Sequence, residues 1–312
     1  MEKSMSHNHD KMFKETFGNR VIAGDFLKAY LPKNLKDIVD LDTLEPRKGS
    51  FVTQEFKEIF TDLLFTAKIN GCDGYICFLF EHKSYPDKHA IYQIQKYIIE
   101  VWESVEKANE EMLPVVLPLL IYNGRKSWNY KTNIREKIHR FSELSEEISK
   151  LVPVYEYLLV DLSEMDPDIK AVSAMQVILK VMRDVMQLDR NGIIATIADI
   201  MVIYADNSQD DTFAHYVKIC IKYILSVKSD ITKEDLLSIA NQIPREGSEL
   251  IMTLAEQLRQ EGRQEGRQEG QLETTTKIVR NALSMSLKAE DIMKLTGLTM
   301  EELDNIKREL LQ

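Results

Sequence analysis

A chain of 312 residues with 44% hydrophobic and 29% charged side chains has the composition of a folded protein of about two domains, which excludes disorder as its default state. Its formal net charge of −10 argues against a general polyanion binder, so a nucleic-acid role must rest on a local basic surface or on a metal. Three cysteines (Cys72, Cys77 and Cys220) lack metal-ligand spacing and read as reduced thiols of a cytoplasmic protein; no signal-peptide pattern opens the chain, and no apolar run reaches the ~18 residues that span a bilayer.

In chain order, residues 1–9 read as a loose polar tail in which His7 and His9 do nothing. Residues 10–30 have helical spacing (Met12, Phe13, Phe17, Val21, Ile22, Phe26, Leu27) with a break at Gly18 or Gly24. Residues 35–44 read as a connector and 49–56 as a first strand. Two β-type runs, 60–65 and 75–80, flank a polar turn over 70–74, which predicts a hairpin. Along the second run Glu81 and Lys83 fall to one side, Phe80 and His82 to the other. Folding about that turn brings Asp62 opposite Glu81, His82 or Lys83. Two carboxylates and a lysine then converge at one end of an apolar sheet, at a cost of several kcal/mol unless they are paired or hold a metal.

Residues 88–109 form a helix whose apolar face is Ile91, Ile94, Tyr97, Ile98, Val101 and Val105, and 113–122 is a further apolar strand. Strand, helix, strand is a βαβ unit, and near-continuous apolar strands imply a sheet covered on both faces. A short helix over 142–151 and a strand over 152–162 close this part. Beyond 166 the pattern is helical throughout: 169–188, 192–204, 212–227, 232–241 and 246–258. The domain reading is therefore an α/β region over 1–165, a helical region over 166–258, a repeat helix over 259–276 and a small helical unit over 277–312.

The repeat reads Arg-Gln-Glu-Gly three times over 259–270. Residues i and i+4 are neighbours on a helix, so arginines, glutamates and glycines sort into separate stripes. Each glycine costs roughly 1 kcal/mol against alanine. Such a helix makes sense against a second copy, Arg stripe to Glu stripe, or as a solvated linker that frays. Three short helices follow (275–285, 289–295, 300–311), the last two joined by Gly297-Leu298-Thr299 as in helix-turn-helix units. A recognition helix would present donors to bases, whereas this one offers Glu301, Glu302 and Asp304, so a packing or oligomerisation unit is the better reading.

Asp62 followed by Glu81-x-Lys83 on adjoining strands has the parts of a metal-dependent phosphodiesterase. Carboxylates bind hard divalent cations, the metal polarises phosphate and acidifies a water, and the lysine holds that water or stabilises the transition state. By itself the spacing favours a surface salt-bridge cluster over a metal site. The wider pattern, however, resembles the PD-(D/E)XK nuclease superfamily, and within it the Rpn family of recombination-promoting nucleases and transposase-like proteins. The matching pieces are His9-Asp10-Lys11-Met12-Phe13-Lys14, Thr61-Asp62-Leu63-Leu64-Phe65, Phe80-Glu81-His82-Lys83-Ser84, Tyr92-Gln93 with Tyr97, Trp102-Glu103, and Leu119 through Gly124 with Trp128. The resemblance covers residues 9–165, and the repeat looks similar to tails in that family.

The resemblance implies a restriction-endonuclease-like core, a mixed central sheet flanked by helices, followed by an all-helical C-terminal region. It implies DNA cleavage of low sequence specificity in recombination, mobile-element or defence biology. Asp62 and Glu81 would ligate Mg²⁺ (or Mn²⁺ or Ca²⁺), and Lys83 would fill the lysine position, where many Rpn-type sequences carry Gln. Gln93 and Tyr97, one helical turn apart, look like the motif that RecB-type members place near the scissile phosphate. Thr61 stands where the motif has proline, a position without chemistry. The alternatives are an inactive nuclease-fold scaffold that binds DNA or protein, and an RNA-cleaving enzyme. The expected partners are DNA and a second copy through the C-terminal helices, with no membrane. His82 reads as a packing or surface residue, Asp10 and Glu15 as a solvated helix start, and Met252 and the later methionines as core.

Overall fold

The computed structural model describes residues 2–47, 61–81, 85–107, 112–166, 173–285 and 287–310. Among the described residues five strands form one sheet in the order β1 (Val39–Pro46), β2 (Thr61–Ile69), β3 (Cys72–Glu81), β4 (Val115–Tyr122), β5 (Leu158–Asp161). The pairs β1/β2 and β2/β3 are antiparallel; β3/β4 and β4/β5 are parallel. The mixed sheet with flanking helices, followed by helices alone, is the architecture expected from the sequence.

The hairpin turn is tighter than predicted. Asn70 and Gly71 carry φ of 51° and 81°, the paired positive values of a two-residue turn that matches strand twist. Cys72, Asp73 and Gly74 are already strand residues, paired with Ile69, Lys68 and Ala67. The Lys68–Asp73 ion pair at 2.7 Å explains why charge is tolerated there.

Each face of the sheet has its own cover. Phe65 and Phe78 lie 5.4 Å apart by ring centroid, and Phe78 meets Phe17 and Phe26 at 6.3 and 6.0 Å, which joins this face to helices α1 (Glu2–Phe17) and α2 (Arg20–Tyr30). The alternate residues Leu64, Cys77, Leu79 and Leu120 pack under helix α4 (Ala90–Lys107), which follows the short α3 (Lys33–Lys36). All six residues of the predicted apolar face of α4 are buried.

Several expectations are corrected. The N-terminal tail is helical from Glu2, and His9 is buried, its Nδ1 2.5 Å from the Tyr223 hydroxyl. The break between α1 and α2 does fall at Gly18, one of the two glycines expected; a Cβ there would stand 2.4 Å from the Lys14 carbonyl, and Asn19 caps α2 through the Val21 amide. The supposed connector over 35–44 contains most of edge strand β1. The strand expected over 49–56 lies outside the described residues. Residues 142–151 hold only one helical turn, α5 (Glu146–Ser149), and the strand expected over 152–162 shrinks to β5. Met252, Met285 and Met300 are exposed rather than core, whereas Met293 packs against the small C-terminal core as expected.

After β5 come α6 (Ala174–Gln187), α7 (Arg190–Asp206), α8 (Asp211–Val227) and α9 (Lys233–Ala240). They pack with the sheet: α6 and α1 both contact α8, and the Asn123 amide at the end of β4 donates to the Met182 carbonyl at 2.9 Å. Helix α10 runs without interruption from Arg245 to Ser284, 40 residues through the glycine repeat. The chain divides into two compact units, Met1–Met252 and Thr253–Gln312. The second has a small core of Val279, Ala282, Ile292, Leu303 and Ile306, drawn from α10, α11 (Ala289–Thr296) and α12 (Met300–Leu310).

Candidate active site

In an open sheet of parallel strands, ligands bind beyond the carboxyl ends, where loops diverge and helix N-termini point. Here that edge is marked by Glu81, Tyr122 and Asp161, register partners at the ends of β3, β4 and β5. Strand β2 runs the other way and brings its first residues to the same edge. Asp62 pairs with Leu79. It is not opposite Glu81, His82 or Lys83, as a five-residue turn would make it; the two-residue turn shifts the register. Positions 62, 79 and 81 therefore share one face by strand alternation, with 62 and 81 diagonal neighbours about 7–8 Å apart along the backbone. Leu79 lies in the core under α4, so this is the face α4 covers.

Both helix positions singled out in the sequence lie on α4. Gln93, in its first turn, is half-buried, and its Oε1 is enclosed without a hydrogen-bond partner among the described residues. Tyr97, one turn on, is buried in the α4 core. The structure thus brings Asp62, Glu81, Gln93 and Tyr97 to one side of the sheet. Lys83 and His82 lie outside the described residues. Among the described residues no group of three or more His, Cys, Asp or Glu side chains stands together. Glu15 forms an exposed pair with Lys11 at 3.9 Å, while Asp10 sits inside α1 rather than at a helix start.

Three residues at this edge were not singled out. Tyr122, fully buried beside the Glu81 position, packs edge-on against Trp128 at 5.0 Å. Asp161 accepts the Trp128 amide at 2.6 Å and the Ser163 amide at 2.9 Å, and so shapes the loop that leaves β4. Tyr155 donates its hydroxyl to the Ile91 carbonyl in the first turn of α4. Burial, with Tyr92 alongside, pushes the Tyr155 phenol up to about 12, and burial raises Tyr157 further still. Both stay protonated at neutral pH, each a hydroxyl with a proton to donate. Their signal in the sequence was weak, since an aromatic before a strand usually means packing.

Residues 7–213 match the protein family described as "Putative transposase, YhgA-like". The chain is 28% identical over 305 residues to the recombination-promoting nuclease RpnA of Escherichia coli K12, covering 97% of this chain and 98% of the relative. It is 26% identical over 309 residues to RpnC of the same strain, described likewise, covering 98% and 99%. It is also 28% identical over 310 residues to the inactive recombination-promoting nuclease-like protein RpnE, covering 97% and 99%. No solved structure matches. Among the described residues no helix is long and apolar enough to cross a membrane.

Proposed function

This chain belongs to the YhgA-like transposase family, and from that premise we propose that it is a metal-dependent nuclease that cuts DNA, with Asp62 and Glu81 as its metal ligands. The observation that carries the reading is the β2/β3 register, which sets positions 62 and 81 diagonally on the face that α4 covers. The residue types fit a hard cation: a carboxylate at each of two positions near the strand ends, and, on the helix that covers the same face, a carbonyl oxygen, Gln93 Oε1, enclosed without a hydrogen-bond partner among the described residues. A bound Mg²⁺ (or Mn²⁺ or Ca²⁺ in its place) supplies Lewis acidity toward the phosphate and lowers the pKa of a water. Gln93 Oε1 is an acceptor only, suited to orient the attacking water through one of its protons. Tyr97 can donate to a phosphate oxygen. Lys83 carries the charge that holds the water or offsets the negative charge that develops in the transition state.

Low sequence specificity fits a chain whose candidate recognition helix, α12, opens on Glu301 and Glu302. The biological setting is recombination, mobile-element or defence biology. The relative named as inactive supports a second reading, a scaffold of the same fold that binds DNA or protein without cutting. Supercoiled plasmid offered with Mg²⁺ or EDTA, to wild type, Asp62→Ala and Glu81→Ala, separates the two. Metal-dependent nicking that both substitutions abolish supports the enzyme; nicking indifferent to them is contamination and ends the claim. A structured RNA run in parallel tests the remaining alternative. The uninterrupted α10 also supports self-association, Arg positions against Glu positions, and sedimentation of the chain ended before Arg259 should give a smaller assembly than the full chain.

A further inference from the structure

The chain is acidic, yet one segment reverses that balance. Residues 125–141, which leave β4 at the candidate active edge, hold six cations (Arg125, Lys126, Lys131, Arg135, Lys137 and Arg140) against the single carboxylate of Glu136, a local charge of +5 in a chain of −10. All six are exposed. The segment is pinned, not loose. The Trp128 amide binds Asp161 at 2.6 Å, Gln187 holds the Gly124 carbonyl at 2.7 Å, and the Ile134 amide meets the Tyr155 carbonyl at 3.1 Å. Lys137 reaches the Lys88 carbonyl at 3.0 Å, just before α4, and lies 4.5 Å from the Tyr92 ring. Asp161 is two strands from Glu81, about 10 Å at ordinary strand spacing, so the segment stands beside the proposed metal site.

The cations are not equally available. Lys131 is paired with Glu136 at 2.7 Å and Arg140 with Glu143, while Arg135 lies over the Phe141 ring at 5.7 Å. Arg125 and Lys126 have no ion pair among the described residues. Arg125 also acts on Lys228, whose ammonium is disfavoured first by burial; Asp230 and Asp189 offset part of that, and Arg125 adds repulsion. Exposed cations that lack an ion pair are available to an anionic partner.

We propose that segment 125–141 is the surface that holds the phosphate backbone of duplex DNA, with Arg125 and Lys126 contributing two of the contacts. This rests on the nuclease reading, since it is the location at the active edge that selects DNA over another polyanion. It also explains how a chain of this net charge can hold its substrate. The backbone anchors fix where the cations stand, so the grip requires little ordering when DNA arrives.

The test is anisotropy of a short fluorescent duplex against the full chain in EDTA, so that binding is read apart from cutting, across about 50 to 200 mM salt. Each neutralised phosphate contributes about 0.9 to the slope of log K against log salt. Arg125→Gln with Lys126→Gln should lower that slope by about 1.8 and weaken binding roughly sixtyfold at 0.1 M salt. The charge-matched control, Lys33→Gln with Lys36→Gln at the hairpin-turn end of the sheet, should leave the slope unchanged, and Arg125→Lys with Lys126→Arg should restore binding. Equal effects of the two Gln pairs, no effect of the first, or no duplex binding by wild type would each overturn the proposal. So would tighter, loop-dependent binding of duplex RNA. Loop-dependent DNA binding without metal-dependent cutting would leave this surface standing and remove only the nuclease reading.

Discussion

Removing the carboxylate of Asp184 should unfold much of the first unit's stability without touching the candidate site. Asp184 is fully buried on α6. Its Oδ1 accepts from Arg183 Nε at 2.8 Å and NH2 at 2.5 Å, and its Oδ2 accepts from Thr196 on α7 at 2.7 Å, with Lys180 Nζ at 3.3 Å. Arg183 in turn donates to the Asp166 carbonyl at 2.6 Å, so the cluster joins α6, α7 and the chain just after β5. Asp184→Ala takes from Arg183, only 5% exposed, the carboxylate that meets two of its nitrogens, and removing one partner of such a buried pair costs about 3–5 kcal/mol. Against a typical total of about 5–15 kcal/mol this is a large share. Thr196→Val removes one hydrogen bond to a charge and should cost about 1.5 kcal/mol, since two cations remain on the carboxylate. Replacing both members of the pair, Arg183→Met with Asp184→Leu, should cost less than Asp184→Ala alone, because no charge is then stranded; Lys180 can still extend toward solvent. Urea unfolding followed by tryptophan fluorescence reads this directly, because both tryptophans, Trp102 and Trp128, lie in the first unit. An Asp184→Ala midpoint within about 1 kcal/mol of wild type would refute the account, as would a double variant worse than the single.

The enclosed oxygen of Gln93 separates catalysis from stability: Gln93→Leu should lower metal-dependent cutting roughly a hundredfold while the unfolding midpoint holds or rises, because no hydrogen bond is lost. A fall in both would mark Gln93 as structural. The Tyr155 phenol, raised from 10.0 to about 12, binds its proton more tightly folded than unfolded. Its contribution is therefore complete below pH 10 and is lost between 10 and 12, a loss that Tyr155→Phe should abolish in alkaline unfolding curves. Gly71→Ala meets no atom within 4 Å but must hold φ at 81°, so it should cost about 1–2 kcal/mol in the urea midpoint through conformation alone. Thiol titration should find Cys72 reactive in the native protein, and Cys77 and Cys220 only after unfolding.

Periodicity revealed the elements whose burial is local and strong. The α4 face is the clearest case, because six apolar side chains at helical spacing leave only one way to lie on a sheet. It failed where the stabilising partner is remote or the element is marginal. His9 looks like tail until Tyr223, 214 residues on, closes over it. Strand β1 is an edge with a register shift between Asp40 and Glu45, so its acids face solvent and its alternation is broken. The turn differs for a related reason: Cys72, Asp73 and Gly74 have turn chemistry, but Asn70-Gly71 complete the reversal with positive φ and leave the next three residues to pair as strand.

That correction bears on the site more than any other. A slip of one residue would carry every side chain of β3 to the opposite face. The register cannot slip, because Phe65 and Phe78 must meet α1 and α2 while Leu64, Cys77 and Leu79 must meet α4. Once Leu79 is committed to the α4 side, positions 62 and 81 are committed with it, one across from Leu79 and one two residues beyond. The chain has exposed strand positions elsewhere for acids, as β1 demonstrates with Asp40 and Glu45. Positions 62 and 81 stand instead at the end of the covered face, where a carboxylate drawn away from water lowers stability unless a cation joins it. If Asp62→Asn and Glu81→Gln left the metal-free protein no more stable than wild type, that cost would not exist, and the strongest physical reason for a metal at this edge would be gone.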